Sequence, residues 1–355
     1  MIQKALFKIL MAPFALLYGT GVALRNGLYR VGLLKEISFN IPVISIGNLT
    51  MGGAGKTPHV EYLANWLQDY IKIAVLSRGY KRKTKGFRIV DVNDTAATVG
   101  DEPLQYKRKF PEVNVYVSES RVLGIPKILS QQPDMQVILL DDAFQHRSVK
   151  PGLNILLTTY HDLFVDDFLL PMGRLREWRQ AYKRADLIIV TKCPNNLSTE
   201  DRKRVEEKIN PLPDQALLYS TYQYTRLYHL LYPSVTMNLR SDMQALVISA
   251  IANTDFLLAF LEQQLGEVKI IEYEDHHAFT RYEMGHLKNE FEKLGGKEKI
   301  IITTEKDATR LEPHIEFLRK EEMPVFVLPV YVSFDADDDL RFKQIVQSYL
   351  LSFKI

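Results

Sequence analysis

A short glycine-rich segment, "TMGGAGKTP" (50–58), carries the residue types of a phosphate-binding loop. Such a loop consists of a glycine, four residues, a second glycine, a lysine, and a serine or threonine. Gly55, Lys56 and Thr57 match this pattern, whereas Thr50 stands where the first glycine is expected. A buried-strand pattern precedes the segment and a helical pattern follows it, which is the context that the motif requires. The sequence therefore predicts a nucleotide site.

Each part of the predicted loop has a chemical role in phosphate binding. Glycines permit backbone conformations that point N–H groups at phosphate oxygens. Lys56 would bridge the β- and γ-phosphates, and Thr57 would offer its hydroxyl to Mg²⁺. We predict that the nucleotide is bound by Thr50, Gly52, Gly53, Ala54, Gly55, Lys56 and Thr57.

Two adjacent carboxylates form the second chemical signal, in "VILLDDAF" (137–144). Asp141 and Asp142 follow four apolar residues, at the carboxyl end of a predicted parallel strand, where doubly wound sheets bind their ligands. Helix or turn capping explains most such pairs, but together with the loop they predict Mg²⁺ ligands. The guanine-reading pattern N-K-x-D is absent from "IIVTKCPNN" (188–196), which argues against a GTPase.

The elements around these residues alternate between short apolar strands and helices, which predicts a mostly parallel, doubly wound α/β sheet. Its predicted strands are 41–49, 71–80, 113–120, 135–146, 153–160 and 185–192, and a helix is predicted over 58–70. A tyrosine-rich stretch (217–232) predicts extended linker strands, and a second α/β series follows over 244–332. We predict three parts, which are an N-terminal membrane-associated helix in 1–35, a P-loop core in 36–215, and linker strands with a smaller α/β domain in 216–355.

The N-terminal segment 9–24 carries no charge and is flanked by Lys4, Lys8, Arg25 and Arg30. Its helix would reach about 24 Å, less than the roughly 30 Å hydrocarbon core of a bilayer, and a proline and two glycines weaken a straight span further. A cleaved signal peptide and a buried helix are the alternatives. Because exported proteins meet little ATP, we predict instead a segment that lies in or just under a membrane surface.

Composition bounds the remaining possibilities. The chain has 355 residues, 46% of them hydrophobic and 25% charged, which is an ordinary globular balance and allows about two domains. The net charge of +2 gives no strong electrostatic preference, so we predict no nucleic-acid ligand, and no protein partner is implied. The single cysteine, Cys193, excludes an internal disulfide framework and a cysteine zinc cluster.

Seven segments of the chain, in the same order, resemble the tetraacyldisaccharide 4'-kinase family of lipid A synthesis. They are "SIGNLTMGGAGKTP" (45–58), "LSRGY" (76–80), "GDEP" (100–103), "DDAFQHR" (141–147), "LLPMGRLRE" (169–177), "EDHHAFT" (274–280) and "TTEKDA" (303–308). The family's loop also has a small hydroxyl residue in place of the first glycine, so Thr50 follows its pattern. With the N-terminal apolar segment, the resemblance covers nearly the whole chain.

The resemblance implies an activity, a fold and a location. The activity is ATP- and Mg²⁺-dependent phosphorylation of the 4'-hydroxyl of a tetraacylated glucosamine disaccharide 1-phosphate. The fold is a pair of α/β/α domains joined by a β-stranded linker, with the active site in the cleft between them. The N-terminal helix would lie on the cytoplasmic face of the inner membrane, where the lipid substrate resides. A P-loop switch that acts on a protein partner and a soluble small-molecule kinase or ligase are the alternatives.

The resemblance also implies a pair of catalytic residues. Asp101 matches the family's candidate base, and His276 matches the histidine that accompanies it. His277 is the weaker choice, because only His276 directly follows Asp275 as in the family's pattern. A turn-capping role for Asp101 would be the default reading of its position without the resemblance.

Further site residues enter through the same matches. Arg121, His146 and Arg176 would act on the substrate or on developing charge, and a planar guanidinium can engage two phosphate oxygens. Arg78 has either such a role or a structural turn role. Glu177 would complete Mg²⁺ coordination alongside Thr57 and Asp142.

The sequence leaves open the roles of two residues in these motifs, and two other residues differ from the family's usual residue. Lys306 and Asp307 have either a nucleotide-side or a structural role. Arg174 and Trp178 stand where many members have proline, which predicts a different shape for that loop but does not affect Arg176.

Overall fold

Two β-sheets organise the chain, and the computed structural model describes residues 2–296 and 298–353 of its 355. In chain order, the first elements are α1 (Ile2–Arg30), β1 (Val43–Asn48), α2 (Lys56–Leu67), β2 (Ile73–Ser77), β3 (Arg88–Ile89), α3 (Ala96–Val99), α4 (Asp101–Lys109), β4 (Asn114–Val117), α5 (Arg121–Gln131), β5 (Val137–Asp141), β6 (Leu153–Thr159), β7 (Leu187–Thr191), α6 (Thr199–Ile209) and β8 (Ala216–Tyr224). The six strands predicted for the core correspond to β1, β2, β4, β5, β6 and β7.

The remaining elements follow the tyrosine-rich stretch. They are β9 (Leu227–His229), β10 (Thr236–Met237), β11 (Gln244–Ser249), α7 (Asp255–Gln264), β12 (Glu267–Glu272), α8 (Arg281–Glu292), β13 (Lys299–Thr304), α9 (Glu305–Leu311), α10 (Ile315–Lys320), β14 (Val325–Leu328), β15 (Val330–Phe334) and α11 (Ala336–Ser352).

The large sheet has nine strands in the spatial order β15-β8-β7-β6-β1-β5-β2-β4-β3. β1 lies at its centre, parallel to β5 on one side and to β6 on the other. β1, β2 and β5 are buried along their whole length, as expected of parallel strands with helices on both faces. The segments that follow these three strands therefore meet at one carboxyl edge.

Helices cover both faces of the large sheet. α2, α4 and α11 pack on one face and contribute Leu63, Leu104 and Phe342 to its core. α5 and α6 pack on the opposite face through Ile125 and Val205. Successive strand residues point alternately into these two layers. The doubly wound α/β fold predicted from the sequence is confirmed.

The small sheet has six strands in the order β10-β9-β14-β13-β11-β12. The four adjacent strands β14, β13, β11 and β12 are parallel, whereas β9 runs antiparallel to β14. α7 packs on one face through Leu257 and Leu261, and α8 packs on the other through Met284 and Leu287.

The C-terminal end of the chain returns to the large sheet. β8 is parallel to β7, β15 is antiparallel to β8, and α11 packs against the large sheet's core through Phe342 and Val346. The sequence-based prediction assigns all of residues 216–355 to the linker strands and the smaller domain, and does not anticipate that β15 and α11 pack with the large sheet. We propose instead that the small sheet (227–328) is inserted in the large-sheet domain, with β8 and β15 as the two connections.

α1 is one helix of 29 residues, about 43 Å long at the usual rise per residue. It continues through Pro13, which removes one backbone hydrogen bond without ending the helix. Within the described residues, Leu6–Arg30 is the one stretch long and apolar enough to cross a membrane, and 11% of its apolar window is buried against the protein. The exposed apolar side chains of α1 include Leu6, Phe7, Ile9, Leu10, Phe14, Leu16, Leu17 and Leu24.

Candidate active site

The glycine-rich loop connects β1 to α2 at the centre of the large sheet. Gly52 and Gly55 have φ angles of 114° and 87°, a region that favours glycine. A Cβ at Gly55 would also lie 2.5 Å from the hydroxyl of Tyr222. Thr50 instead forms an antiparallel bridge with Leu175, a conformation open to any residue. Position 50, where the usual motif has its first glycine, therefore does not require glycine in this loop.

Lys56 begins α2 and lies beside the acidic end of β5. Its Nζ donates to Asn48 Oδ1 at 3.1 Å and lies 3.7 Å from Asp142 Oδ2. Gly55 precedes the helix and brings no capping side chain to the first turn of α2 in the described structure. The N-terminal amides of α2 thus face the loop, in the arrangement that binds phosphate at helix N-termini.

The two neighbouring aspartates differ in their environments. Asp141 is buried and its Oδ2 accepts a hydrogen bond from Ser77 Oγ at 3.0 Å, while Asp142 pairs with Arg176 at 3.0 Å. Burial raises the pKa of Asp141 to about 7, and Glu102 and Asp142 add to this effect. Burial alone would also raise the pKa of Asp142, but Lys56 and Arg176 hold that pKa below its ordinary value.

The donors at this edge fit a Mg²⁺ ion. Asp141 Oδ1 is buried and has no hydrogen-bond partner among the residues that the structure describes, so an acceptor is available to a cation. Thr57, Asp141 and Asp142 are the side chains that would hold it, together with nucleotide phosphate oxygens. Within residues 2–296 and 298–353, no group of three His, Cys, Asp or Glu side chains is arranged to hold a metal by itself.

Glu177 is engaged elsewhere in this structure. Its Oε2 accepts from Arg184 at 2.9 Å and from Asn26 of α1 at 2.8 Å, and its Oε1 lies 3.2 Å from Arg184. The Mg²⁺ role that the resemblance implies stays a prediction, because the described contacts of Glu177 are all to protein donors. The structure thus gives Glu177 a role in joining α1 to this loop.

Three arginines and a histidine surround the same edge. Arg176 bridges Asp142 and the backbone oxygen of Asn48, to which its Nη2 donates at 2.7 Å. Arg121 is buried and donates to the backbone oxygen of Asp141 at 2.9 Å, so its first role is to fix the end of β5. Burial lowers the pKa of His146 to about 4, with Arg121 and the exposed Arg78 adding to the effect. Arg176 and Arg78 are thus the cations of this group that a phosphate can reach, because Arg121 is buried and His146 is neutral near pH 7.

Asp101 and His276 meet across the two sheets, although they are 175 residues apart. Asp101 is the first residue of α4 and not a turn residue, and His276 lies in the segment after β12. His276 Nδ1 lies 2.8 Å from Asp101 Oδ2. Burial by itself would raise the pKa of Asp101, but the hydrogen bond from His276 and the charges of Lys306 and Arg310 hold it well below its ordinary value.

The adjacent histidine points to different partners. His277 pairs with Glu283 at 2.9 Å and stacks on Tyr273, with ring centroids 4.6 Å apart. Of the two neighbouring histidines, His276 is thus the one in contact with Asp101.

Arg310 is the site residue that sequence reasoning missed. It lies in α9 and contacts Asp101 directly, while its Nη1 lies 2.8 Å from Asp307. Lys306, whose role the sequence left open, contacts His276 Nε2 at 3.2 Å and Glu102 at 3.3 Å. The available signal was spacing, because Lys306 and Arg310 are four residues apart and share one helix face.

A cleft of about 380 Å³ opens beside the glycine-rich loop. Loop residues 50–54 and Lys192 line one side, and Asn253 and Phe256 from the small sheet's part of the chain line the other. Burial lowers the pKa of Lys192 to about 8. The loop therefore faces a space to which both sheets contribute, a common position for a ligand site.

Comparisons with known proteins agree with this geometry. A family model described as "Tetraacyldisaccharide-1-P 4'-kinase" matches residues 7–350. A tetraacyldisaccharide 4'-kinase of Bacteroides fragilis (strain YCH46) is 43% identical over 345 residues, which cover 95% of this chain and 92% of that protein. One from Bacteroides thetaiotaomicron is 42% identical over 351 residues, with the same two coverages.

A solved structure extends the similarity to the fold. The crystal structure of LpxK from Aquifex aeolicus in complex with ATP has a TM-score of 0.71 and 28% sequence identity, and the match covers 97% of this chain and 99% of that one. The resemblance seen in the sequence motifs is thus confirmed over nearly the full length. The chain belongs to the tetraacyldisaccharide 4'-kinase family.

Proposed function

We propose that this protein transfers the γ-phosphate of ATP to the 4'-hydroxyl of a tetraacylated glucosamine disaccharide 1-phosphate. The observation that carries the proposal is the contact of Asp101 with His276 at 2.8 Å, between the P-loop domain and the small sheet. A carboxylate oriented by an imidazole is a suitable proton acceptor for a sugar hydroxyl. Family membership supplies the substrate class.

The glycine-rich loop and α2 bind the triphosphate. Lys56 and the amides of the first turn of α2 stabilise negative charge on the β- and γ-phosphates. Arg176 pairs with Asp142 at the same edge of the sheet, and from there it would contact the β- and γ-phosphates once the nucleotide is bound. The cleft lined by Lys192 and Phe256 has room for the nucleoside end of ATP. Mg²⁺, held by Thr57, Asp141 and Asp142, would neutralise charge between the phosphates.

The transfer forms a bond between the 4'-oxygen and the γ-phosphorus and breaks the bond between that phosphorus and the β,γ-bridging oxygen, which leaves with ADP. Asp101 accepts the proton of the hydroxyl. His276 donates from Nδ1 to Asp101 and so fixes the carboxylate's orientation. Because the transition state is loose, these groups act mainly by positioning the hydroxyl and accepting its proton.

The N-terminal helix supports a membrane location for the reaction. Its apolar side chains are exposed over several turns, and Lys8 and Arg25 lie among or after them. An apolar helix with flanking cations gains both apolar burial and attraction to anionic lipid at a membrane surface. We place it on the cytoplasmic face of the inner membrane, where ATP and the acylated substrate meet.

The proposal is tested by supplying radiolabelled [γ-³²P]ATP and Mg²⁺ with the tetraacyl disaccharide 1-phosphate in detergent micelles. We expect label in the lipid, no label when the 4'-hydroxyl is replaced by hydrogen, and none with the Lys56→Ala variant. ATP hydrolysis without transfer to the lipid would contradict the proposal and favour a P-loop switch. Transfer to a soluble sugar in preference to the lipid would favour a small-molecule kinase.

A further inference from the structure

Arg310 reaches from the small sheet's part of the chain to the carboxylate of Asp101. Both side chains are almost fully buried, at 6% and 5% exposure. One guanidinium nitrogen, Nη2, contacts Asp101 Oδ2 and lies 3.3 Å from His276 Nδ1. The other, Nη1, donates to the backbone oxygen of Ala250 at 2.8 Å. The guanidinium therefore joins the candidate catalytic pair to the end of β11.

Asp307 holds this arginine independently of Asp101. Its Oδ1 accepts from Arg310 Nη1 at 2.8 Å. Its Oδ2 accepts from Ser249 Oγ and the Ala250 amide at 3.1 Å each, and from Thr304 Oγ1 at 2.8 Å. Because Ser249, Ala250 and Thr304 lie at the ends of β11 and β13, the position of Asp307 and thus of Arg310 on α9 is set within the small sheet's own framework.

The two donors to Asp101 use the same oxygen. His276 and Arg310 both contact Oδ2. Oδ1 accepts only the Glu102 amide, at 3.0 Å, among the described residues. A carboxylate oxygen has room for two acceptor interactions, so Oδ1 can still receive a substrate hydroxyl. Oδ2 is therefore the oxygen that anchors the carboxylate, and Oδ1 is the oxygen open to a substrate hydroxyl.

Building on the proposed function, we propose that Arg310 is a positioning residue for phosphoryl transfer. Anchored by Asp307, it fixes Asp101 Oδ2 beside His276 and thereby presents Oδ1 to the sugar hydroxyl. The base is then complete only when the small-sheet part of the chain lies against α4, because both anchors, His276 and Arg310, come from that part. Lys306 assists by occupying His276 Nε2, which leaves Nδ1 as the nitrogen that donates to Asp101.

The charges around Asp101 predict the direction of a pH effect. The titratable and charged groups that face this cluster are His276, Arg310, Lys306, Glu102, Asp275, Asp307 and Tyr80. Loss of the guanidinium removes a cation that favours the ionised carboxylate, so the pKa of Asp101 rises. As the pH falls, activity that requires ionised Asp101 is then lost at a higher pH in the variant than in the wild type.

We would measure kcat and KM against pH for wild type, Arg310→Gln and Arg310→Lys, with lipid acceptor in micelles. We expect Arg310→Gln to lower kcat by roughly 10–10²-fold, within or below the range for general-base groups. The KM for ATP should change less than about twofold, because the loop is intact. In Arg310→Gln, the fall of kcat on the acidic side of the pH profile should occur at a higher pH than in the wild type. Arg310→Lys should recover part of the lost kcat and part of this pH shift. The exposed Arg319→Gln, on α10, is the matched control and should behave as wild type.

A second measurement separates positioning from a loss of fold. In an Asp101→Asn background, Arg310→Gln should cost little further activity, because the group that it positions is already gone. An equal loss in both backgrounds, or an unshifted acidic limb in Arg310→Gln, would overturn the inference. If wild type itself transfers no phosphate to the lipid, the proposed function fails first, and the two failures are thereby distinguished.

Discussion

At the scale of single residues, the proposed nucleotide site contains a few charges held close together. Lys56 lies 3.7 Å from Asp142 and so reaches both the loop and the acidic end of β5. Arg176 pairs with the same carboxylate at 3.0 Å. These cations are already arranged around the position where the phosphates would enter, so little reorganisation is needed when charge develops in the reaction.

The first prediction concerns the loop lysine. Lys56→Ala should abolish transfer to the lipid while thermal unfolding stays near that of the wild type, because its ammonium balances charge between the β- and γ-phosphates. Thr57→Ala should raise the Mg²⁺ concentration that supports half-maximal turnover. Lys72→Ala, a change of an exposed lysine that pairs with Asp134, is the control. Turnover of Lys56→Ala within a few-fold of wild type would show that the loop does not hold the phosphates.

The second prediction concerns the candidate dyad. Asp101→Ala and His276→Ala should each lower kcat by roughly 10²–10⁴-fold, the range for general acid–base groups. The double variant should lose about as much as the worse single variant, since residues that act as a unit are not additive. His277→Ala should have a smaller effect, because His277 pairs with Glu283 instead. Losses that multiply in the double variant would contradict the assignment.

At the scale of elements, α1 is joined to the loop that carries Arg176. Tyr18 Oη donates to the backbone oxygen of Arg176 at 2.8 Å, and Trp178 Nε1 donates to that of Gly19 at 2.7 Å. Asn26 donates to Glu177 at 2.8 Å. The N-terminal apolar helix and a charged loop of the candidate active site are therefore in direct contact. Trp178, which departs from the family pattern, is one of the residues that make it.

The third prediction uses two glycines of that helix. A Cβ at Gly19 would lie 2.5 Å from the Trp178 ring, whereas at Gly21 it would meet open space among the described residues. Gly19→Ala should push α1 away from the loop and cost about 1–3 kcal/mol of stability through overpacking. Turnover on the lipid should fall with it.

Gly21→Ala is the matched control, because a glycine-to-alanine change in a helix is favourable by up to about 1 kcal/mol when space permits. Thermal unfolding in detergent and lipid turnover would be measured for both variants. Equal behaviour of the two would show that the contact of Gly19 with Trp178 does not position the loop.

At the scale of the whole molecule, the site is assembled from distant parts of the chain. α4 of the large sheet and α9 of the small sheet face each other through Asp101, Lys109, Glu305 and Arg310. Closure of the small sheet against α4 would thus complete the site and exclude water from it, which limits wasteful hydrolysis of ATP.

The fourth prediction concerns the N-terminal helix in this assembly. Deletion of residues 1–30 should move the protein from the membrane fraction towards the soluble fraction, because the exposed apolar side chains of α1 are removed. Turnover on a long-chain lipid should fall more than basal ATP hydrolysis. Membrane fractionation and the two rates are the measurements. Unchanged partition after deletion would place the membrane anchor elsewhere in the chain.

The amino-acid sequence by itself determined the features that depend on local pattern. The glycine-rich loop, the aspartate pair and the buried strands follow from residue types and spacings within about 15 residues, where backbone geometry fixes which side chains are neighbours. The family resemblance added Asp101 and His276, which no local pattern connects.

Only the tertiary structure decided which distant groups meet. β15 and α11 join the large sheet beside β8, more than 100 residues earlier in the chain, since strand pairing is set by packing and not by local propensity. Glu177 pairs with Arg184 and with Asn26 of α1, and Arg310 pairs with Asp101, although their sequence positions predict none of these contacts. Buried charges need partners, and the partner is whichever opposite charge the fold brings within reach.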